Sequence, residues 1–214
     1  MIIINFKNYK HGKEALELAK KIEKNLGKVV IAVSSVNLAE ISDKTGLAVY
    51  AQHVVPVESD RHTGFVTVES IKKVGAKGTI INHSEHQVPL HYISETINVC
   101  KKEGLGTIVC ASSLKETKKI LKLKEKPLAI AFESSELIGT GKSITQYKTK
   151  ELVDFINILK GTKVLAVCGA GISSVDDIKA AYNLGCEGVF ISSAIANNKN
   201  VDELLKDIKG EIRK

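Results

Sequence analysis

Leu128-Ala129-Ile130-Ala131-Phe132-Glu133-Ser134-Ser135-Glu136-Leu137-Ile138-Gly139-Thr140-Gly141-Lys142 joins an apolar run to a carboxylate and then to a glycine-closed loop. The run from Leu128 to Phe132 reads as a buried strand, and Glu133 is the one acid it delivers to its C-terminal tip. A charged group at the end of a buried strand is either a solvated bystander or a working acid. The rest of the chain has to decide which.

Working outward, the same kind of run recurs. Short β-branched stretches at residues 2–6, 29–33, 48–52, 79–82, 107–110, 128–132, 163–167 and 188–191 are nearly continuous in apolar residues. That is the signature of parallel strands covered on both faces. Between them lie helical periods, the clearest at 11–25, with Ala15, Leu18, Ala19 and Ile22 on one face and Gly27 as its stop. Further helices are predicted at 36–44 behind Ser34-Ser35, and at 68–74, 89–103, 113–123, 149–159, 173–184 and 201–212. Ser174 with Asp176 and Asp177 gives the seventh a cap and first-turn acids. Eight β/α units in 214 residues point to a single-domain α/β fold, a (β/α)8 barrel over 1–214, near the lower limit of about 200 residues. A doubly wound open sheet is the alternative, but Phe6-Lys7-Asn8-Tyr9-Lys10 offers no GxGxxG after the first strand.

Composition narrows the function. No apolar run approaches the roughly 18–20 residues a membrane span needs. The N-terminus reads as a strand and not as a signal peptide, so a cytoplasmic location is expected. Cys100, Cys110, Cys168 and Cys186 show no CxxC spacing and are expected as buried reduced thiols. A net charge of +7 raises the possibility of nucleic acid, yet the lysines are scattered, with no arginine cluster and no aromatic platform, so neither nucleic acid nor membrane is expected as a partner.

In a barrel the chemistry sits at the C-terminal strand ends. The first strand ends Asn5-Phe6-Lys7, where period-two alternation sends Asn5 and Lys7 to the mouth and Phe6 outward under the helices. The fourth ends Asn82-His83-Ser84-Glu85-His86; its spacing is not HExxH and no third ligand is evident, so acid/base work by His83 is favoured over metal binding. The last two end Cys168-Gly169-Ala170-Gly171 and Ser192-Ser193-Ala194, small residues that let backbone N–H groups approach a phosphate. The long irregular connection from Gln52 to Phe65 is predicted to be functional or interface-forming.

Taken together these segments resemble the triosephosphate isomerase family, in particular its compact archaeal form, over essentially the whole chain. The markers are Asn5-Phe6-Lys7, Ala51-Gln52-His53, His62-Thr63-Gly64, Asn82-His83-Ser84-Glu85, the 133–141 loop, Cys168-Gly169-Ala170-Gly171 and Ser192-Ser193. The resemblance implies reversible interconversion of dihydroxyacetone phosphate and D-glyceraldehyde 3-phosphate, a step of glycolysis and gluconeogenesis, with no metal or organic cofactor. The resemblance also implies a division of roles in which their surroundings tune the proton affinities of an acid and an imidazole. On that pattern Glu133 is the base, His83 the neutral electrophile, Lys7 the cation facing the enediolate, Asn5 a holder of substrate oxygens, and Glu85 a supporting carboxylate. The implied substrate-binding set is Asn5, Phe6 and Lys7 from the first strand, Ile138 and Gly139 from the lid, and Gly171, Ser192 and Ser193 around the phosphate. It also implies a homodimer or homotetramer built through the connection from Gln52 to Phe65.

The chain departs from the family pattern at four positions. Ser134 stands where Pro is usual, Ser135 where the archaeal form commonly has a second Pro, Ser35 where a Pro is common, and His86 where Arg is usual. The first two predict a looser lid hinge and the last a weaker or pH-dependent brace. None removes a catalytic group.

Overall fold

A computed structural model describes residues 1–57, 61–134, 136–137 and 143–212. Its strands are β1 (Ile2–Asn5), β2 (Val30–Val33), β3 (Ala48–Ala51), β4 (Gly78–Ile81), β5 (Gly106–Ala111), β6 (Ala129–Phe132), β7 (Leu165–Cys168) and β8 (Gly188–Ile191). All pair in parallel with their sequence neighbours, and β8 returns to β1, so the sheet closes into a (β/α)8 barrel. The helices are α1 (Gly12–Leu26), α2 (Ser35–Lys44), α3 (Val68–Lys73), α4 (Leu90–Lys102), α5 (Leu114–Leu121), α6 (Ile144–Tyr147), α7 (Thr149–Leu159), α8 (Val175–Asn183), α9 (Ser193–Ala196) and α10 (Val201–Ile212). The single-turn helices α6 and α9 are the two elements that the periodicity did not predict, since four residues carry too little pattern to read.

Alternation along the strands builds two cores. Ile3, Ala32, Tyr50, Ile80, Cys110 and Ala131 belong to the set that fills the barrel interior, while Ile4, Val33, Ile81, Phe132 and Phe155 are among those packed between barrel and helices. Tyr50 fixes the size of its neighbours: a Cβ on Gly78 would lie 2.2 Å from the Gly106 carbonyl oxygen and 2.5 Å from the Tyr50 ring. Gly27 closes α1 in the left-handed region with its N–H on the Glu23 carbonyl, as the sequence predicts. Ser174 and Asp177 form a reciprocal capping box at α8. Ser34 takes the N-cap position of α2, but its hydroxyl accepts from the Asn37 amide and caps no backbone N–H. All four cysteines are buried free thiols.

The long connection after β3 is pinned at its base, where the Val55 N–H donates to the Val66 carbonyl at 2.8 Å. Among the described residues no helix is long and apolar enough to cross a membrane.

Candidate active site

Glu133 follows β6, held by its N–H on the Ala111 carbonyl at 2.9 Å. Alternation after Ala129 and Ala131 turns its side chain into the barrel mouth, and it is only 1% exposed. One carboxylate oxygen, Oε2, accepts the Ser84 backbone N–H at 3.2 Å. The other, Oε1, lies 3.3 Å from His83 Nε2 but outside hydrogen-bonding alignment, so it has no partner. Burial pushes the carboxyl up from 4.5 to about 7, against the pull of the Ser84 N–H, the Cys110 thiol and Lys7, while Glu85 adds to the rise. The neighbouring strand leaves room for this side chain: a Cβ on Gly169 would stand 3.1 Å from Glu133 Cγ and 3.2 Å from the Phe132 carbonyl oxygen.

His83 stands on the turn after β4 and is 7% exposed. Burial, then the Lys7 charge, lower its pKa from 6.5 to about 4, with Glu85 opposing. Its Nδ1 accepts the Glu85 backbone N–H at 3.1 Å, which leaves the single proton of the neutral ring on Nε2, facing Glu133. Asn82 anchors the turn. In the left-handed region at φ 62, its amide donates to the Cys110 carbonyl and to Glu116 Oε1, each at 2.9 Å, and its oxygen accepts the Val88 N–H at 3.0 Å.

Lys7 also has a left-handed backbone, φ 44, a conformation that costs a non-glycine residue on the order of 1–3 kcal/mol. Its ammonium meets Glu85 Oε1 at 2.6 Å. Asn5, 3% exposed, accepts the Lys7 N–H at 3.0 Å and the Gln52 amide at 3.1 Å on one oxygen. With that oxygen committed, only the Asn5 NH2 is left for a ligand, and it can only donate. Ser192 sends its hydroxyl to the Asn5 carbonyl at 2.9 Å, tying the last strand tip to the first.

These groups border two adjoining cavities. One of about 270 Å³ brings together Lys7, His83, Glu133, Gly171, Ser192 and Ser193. Asn5 and Glu85 instead face a larger one of about 720 Å³, which also takes in Gln52, His53 and His86; Lys7, Tyr9 and His83 border both. Phe6 is fully buried in the outer core, as alternation demands, so its side chain reaches neither cavity. Ile138 and Gly139 lie outside the described residues. No cluster of metal-ligating side chains occurs among the described residues.

A buried unpartnered carboxylate oxygen beside a neutral imidazole, with an ammonium and small-residue strand ends at the same barrel mouth, is equipped for proton transfer next to a carbonyl in a phosphorylated small molecule. The family profile described as triosephosphate isomerase matches residues 1–208. The chain belongs to the triosephosphate isomerase family. The triosephosphate isomerase of Methanocaldococcus jannaschii is 38% identical over 97% of this chain and 98% of its own length. Those of Methanobrevibacter smithii and Metallosphaera sedula are 35% and 36% identical, over 99% and 100% of this chain and 98% and 96% of their own lengths.

Two of the departures from the triosephosphate isomerase pattern now have surroundings. His86 stacks on His53 with ring centroids 4.1 Å apart, and His53 Nε2 bonds the Tyr92 hydroxyl at 3.0 Å. Burial, then His86, bring His53 down from 6.5 to about 4, so a ring stack on a neutral His53 occupies the place expected for an ion pair. Ser134 is buried with its hydroxyl unpartnered, and its carbonyl accepts the Leu137 N–H at 2.9 Å. Ser135 lies outside the described residues. Sequence reasoning missed Gln52 and Asn82 as parts of the site, although both stand in marker segments at strand ends. It also missed the Ser84 N–H, because a backbone donor leaves no trace in side-chain chemistry.

Proposed function

We propose that the chain interconverts dihydroxyacetone phosphate and D-glyceraldehyde 3-phosphate with Glu133 as the base. Its carboxylate takes a proton from the carbon beside the carbonyl. The C–H electron pair becomes the C=C bond of an enediolate, and the carbonyl oxygen takes the negative charge. His83 Nε2–H and the Lys7 ammonium face that oxygen, and the Asn5 NH2 donates from the flank. Glu133 then returns the proton to the neighbouring carbon while His83 exchanges protons between the two oxygens. Backbone N–H groups near Gly171, Ser192 and Ser193 hold the phosphate, and Ile138 and Gly139 complete the grip when the lid closes and excludes water.

The observation that carries this reading is Glu133 Oε1, buried, unpartnered and 3.3 Å from the Nε2 of a neutral His83. The test is a coupled isomerase assay on the purified protein beside Glu133→Gln. Equal turnover of the two proteins would sink the proposal.

The reading extends to assembly and location. We assign the rim of the larger cavity to a homo-oligomeric contact, dimeric or tetrameric, formed through the connection from Gln52 to Phe65. Phe65, 50% exposed, and Tyr9, 40% exposed, line that cavity, and a second copy would cover them. Light scattering giving a monomeric mass with full activity would contradict it. The cytoplasm is the compartment this function assigns, and 1–214 is taken as one domain.

A further inference from the structure

Gln52 is the first residue past β3, and its backbone N–H donates to the Val33 carbonyl at 3.2 Å, which ties it to the tip of β2. Its side-chain amide donates to the Lys7 carbonyl at 2.9 Å and to Asn5 Oδ1 at 3.1 Å, with the Ala32 carbonyl a more distant acceptor at 3.4 Å. Asn5 Oδ1 also accepts the Lys7 N–H at 3.0 Å. The Gln52 amide therefore closes a loop of hydrogen bonds around the single turn from Asn5 to Lys7.

That turn needs holding. Lys7 is one of three non-glycine residues with positive φ among the described residues. Such a conformation persists only where the surroundings over-determine it. Phe6 anchors the turn from below in the outer core, and the Tyr9 N–H on the Phe6 carbonyl at 3.1 Å closes its far side. The mouth side is held by Gln52. Release of the Lys7 carbonyl would let the backbone relax towards the extended region, and the ammonium would leave the wall it shares with His83.

We infer that Gln52 is a positioning residue for the isomerisation, acting through Lys7 by keeping its backbone in the left-handed turn. The inference rests on the isomerase reading above, because the value of Lys7 is counted there in turnover. A purely structural Gln52 would satisfy the same acceptors without influencing Lys7, and the two roles part in a double-mutant cycle.

The full-length protein is compared with Gln52→Met, which keeps the length and loses the donors, and with Gln52→Glu, which keeps the shape and turns the amide nitrogen into an acceptor. Both are assayed well below their melting temperatures, in the wild-type and in the Lys7→Ala background. The expected result is a fall in kcat/KM of about tenfold or more in the wild-type background and less than about twofold once Lys7 is gone. Hydrogen exchange of the Lys7 amide should quicken in Gln52→Met, a readout that needs no turnover. Unchanged kcat/KM, equal losses in both backgrounds, or failure of both variants to fold would overturn the inference. Wild-type turnover alone decides the isomerase reading, so an inactive wild type and an inconsequential Gln52 give different results.

Discussion

Glu133 Oε1 and His83 Nε2 lie 3.3 Å apart, and burial inverts the usual order of their proton affinities, lifting the acid to about 7 and lowering the imidazole to about 4. On acidification the carboxylate therefore takes a proton before the ring does, and a carboxylate–imidazolium pair is not the resting state. An imidazolium would already be charged, and a neutral ring can give its Nε2 proton to a developing oxyanion and recover it. The same low-dielectric pocket produces both shifts, because desolvation penalises the charged form of each group.

This inversion sets the response to pH. His53 and His83 each fall from 6.5 to about 4, so the unfolded chain binds more protons between those values and stability drops as pH falls through them. Glu133, raised from 4.5 to about 7, has the opposite sign: its contribution is full below 4.5 and is lost as pH rises through 7. Two histidines outweigh one glutamate below 6.5. Denaturant titrations from about pH 7.5 to about 4.5 should give a shallower acid decline for His53→Gln and a steeper one for Glu133→Gln, each by about one proton in slope. Parallel curves for all three proteins would contradict the inversion.

Gly169→Ala tests the space kept for the base. The added methyl would meet Glu133 Cγ at 3.1 Å, and the carboxylate must give way. The shift needed is a few tenths of an ångström, and since about 1 Å can cost a hundredfold, the loss in rate should be a few-fold to about tenfold. The loss should appear in kcat with a stability change of about 1–3 kcal/mol. A wild-type kcat would show that the contact is harmless.

Asn82 can be separated into backbone and side-chain parts. Asn82→Gly keeps the left-handed φ and loses three hydrogen bonds, while Asn82→Ala loses the bonds and adds about 1–2 kcal/mol of conformational cost. Chemical denaturation should therefore rank wild type above Asn82→Gly and Asn82→Ala lowest. An alanine variant as stable as the glycine variant would mean that φ 62 stores no strain there.

Lys7 and Glu85 share a 2.6 Å contact but not a burial, since the Glu85 side chain is 56% exposed. Removing the ammonium deletes a charge aimed at the reaction, and Lys7→Ala should lower kcat/KM by about a hundredfold to a thousandfold. Glu85→Gln removes an exposed partner and should shift stability by less than about 1 kcal/mol. Similar kinetic losses in both variants would make the pair, and not the cation, the working unit.

The barrel was legible because its strands repeat one pattern, and Ala129, Ala131 and Glu133 alternate inward without exception. Lys7, His83, Gly171, Ser192 and Ser193 could be brought to one mouth from strand-end logic alone. Phe6 was placed in the substrate-binding set, while alternation sends its side chain outward into the outer core. Gln52 was read as the last residue of the third strand and the start of the long connection, and its role depends on reaching the Lys7 carbonyl, a backbone atom with no side-chain signature. That Asn5 faces the larger cavity also escaped, because alternation gives the side of a strand but not which of two cavities it meets.

The bond from the Ser192 hydroxyl to the Asn5 carbonyl spans 187 positions of sequence. During synthesis β1 is made well before β8, and the place of Lys7 beside the phosphate-binding strand ends exists only after β8 has emerged. Until then Ile2, Ile3 and Ile4 lack their β8 partner and present an open, sticky edge. Closure of β8 on β1 therefore joins the two strands most distant in sequence, and the mouth is complete only once that pairing forms.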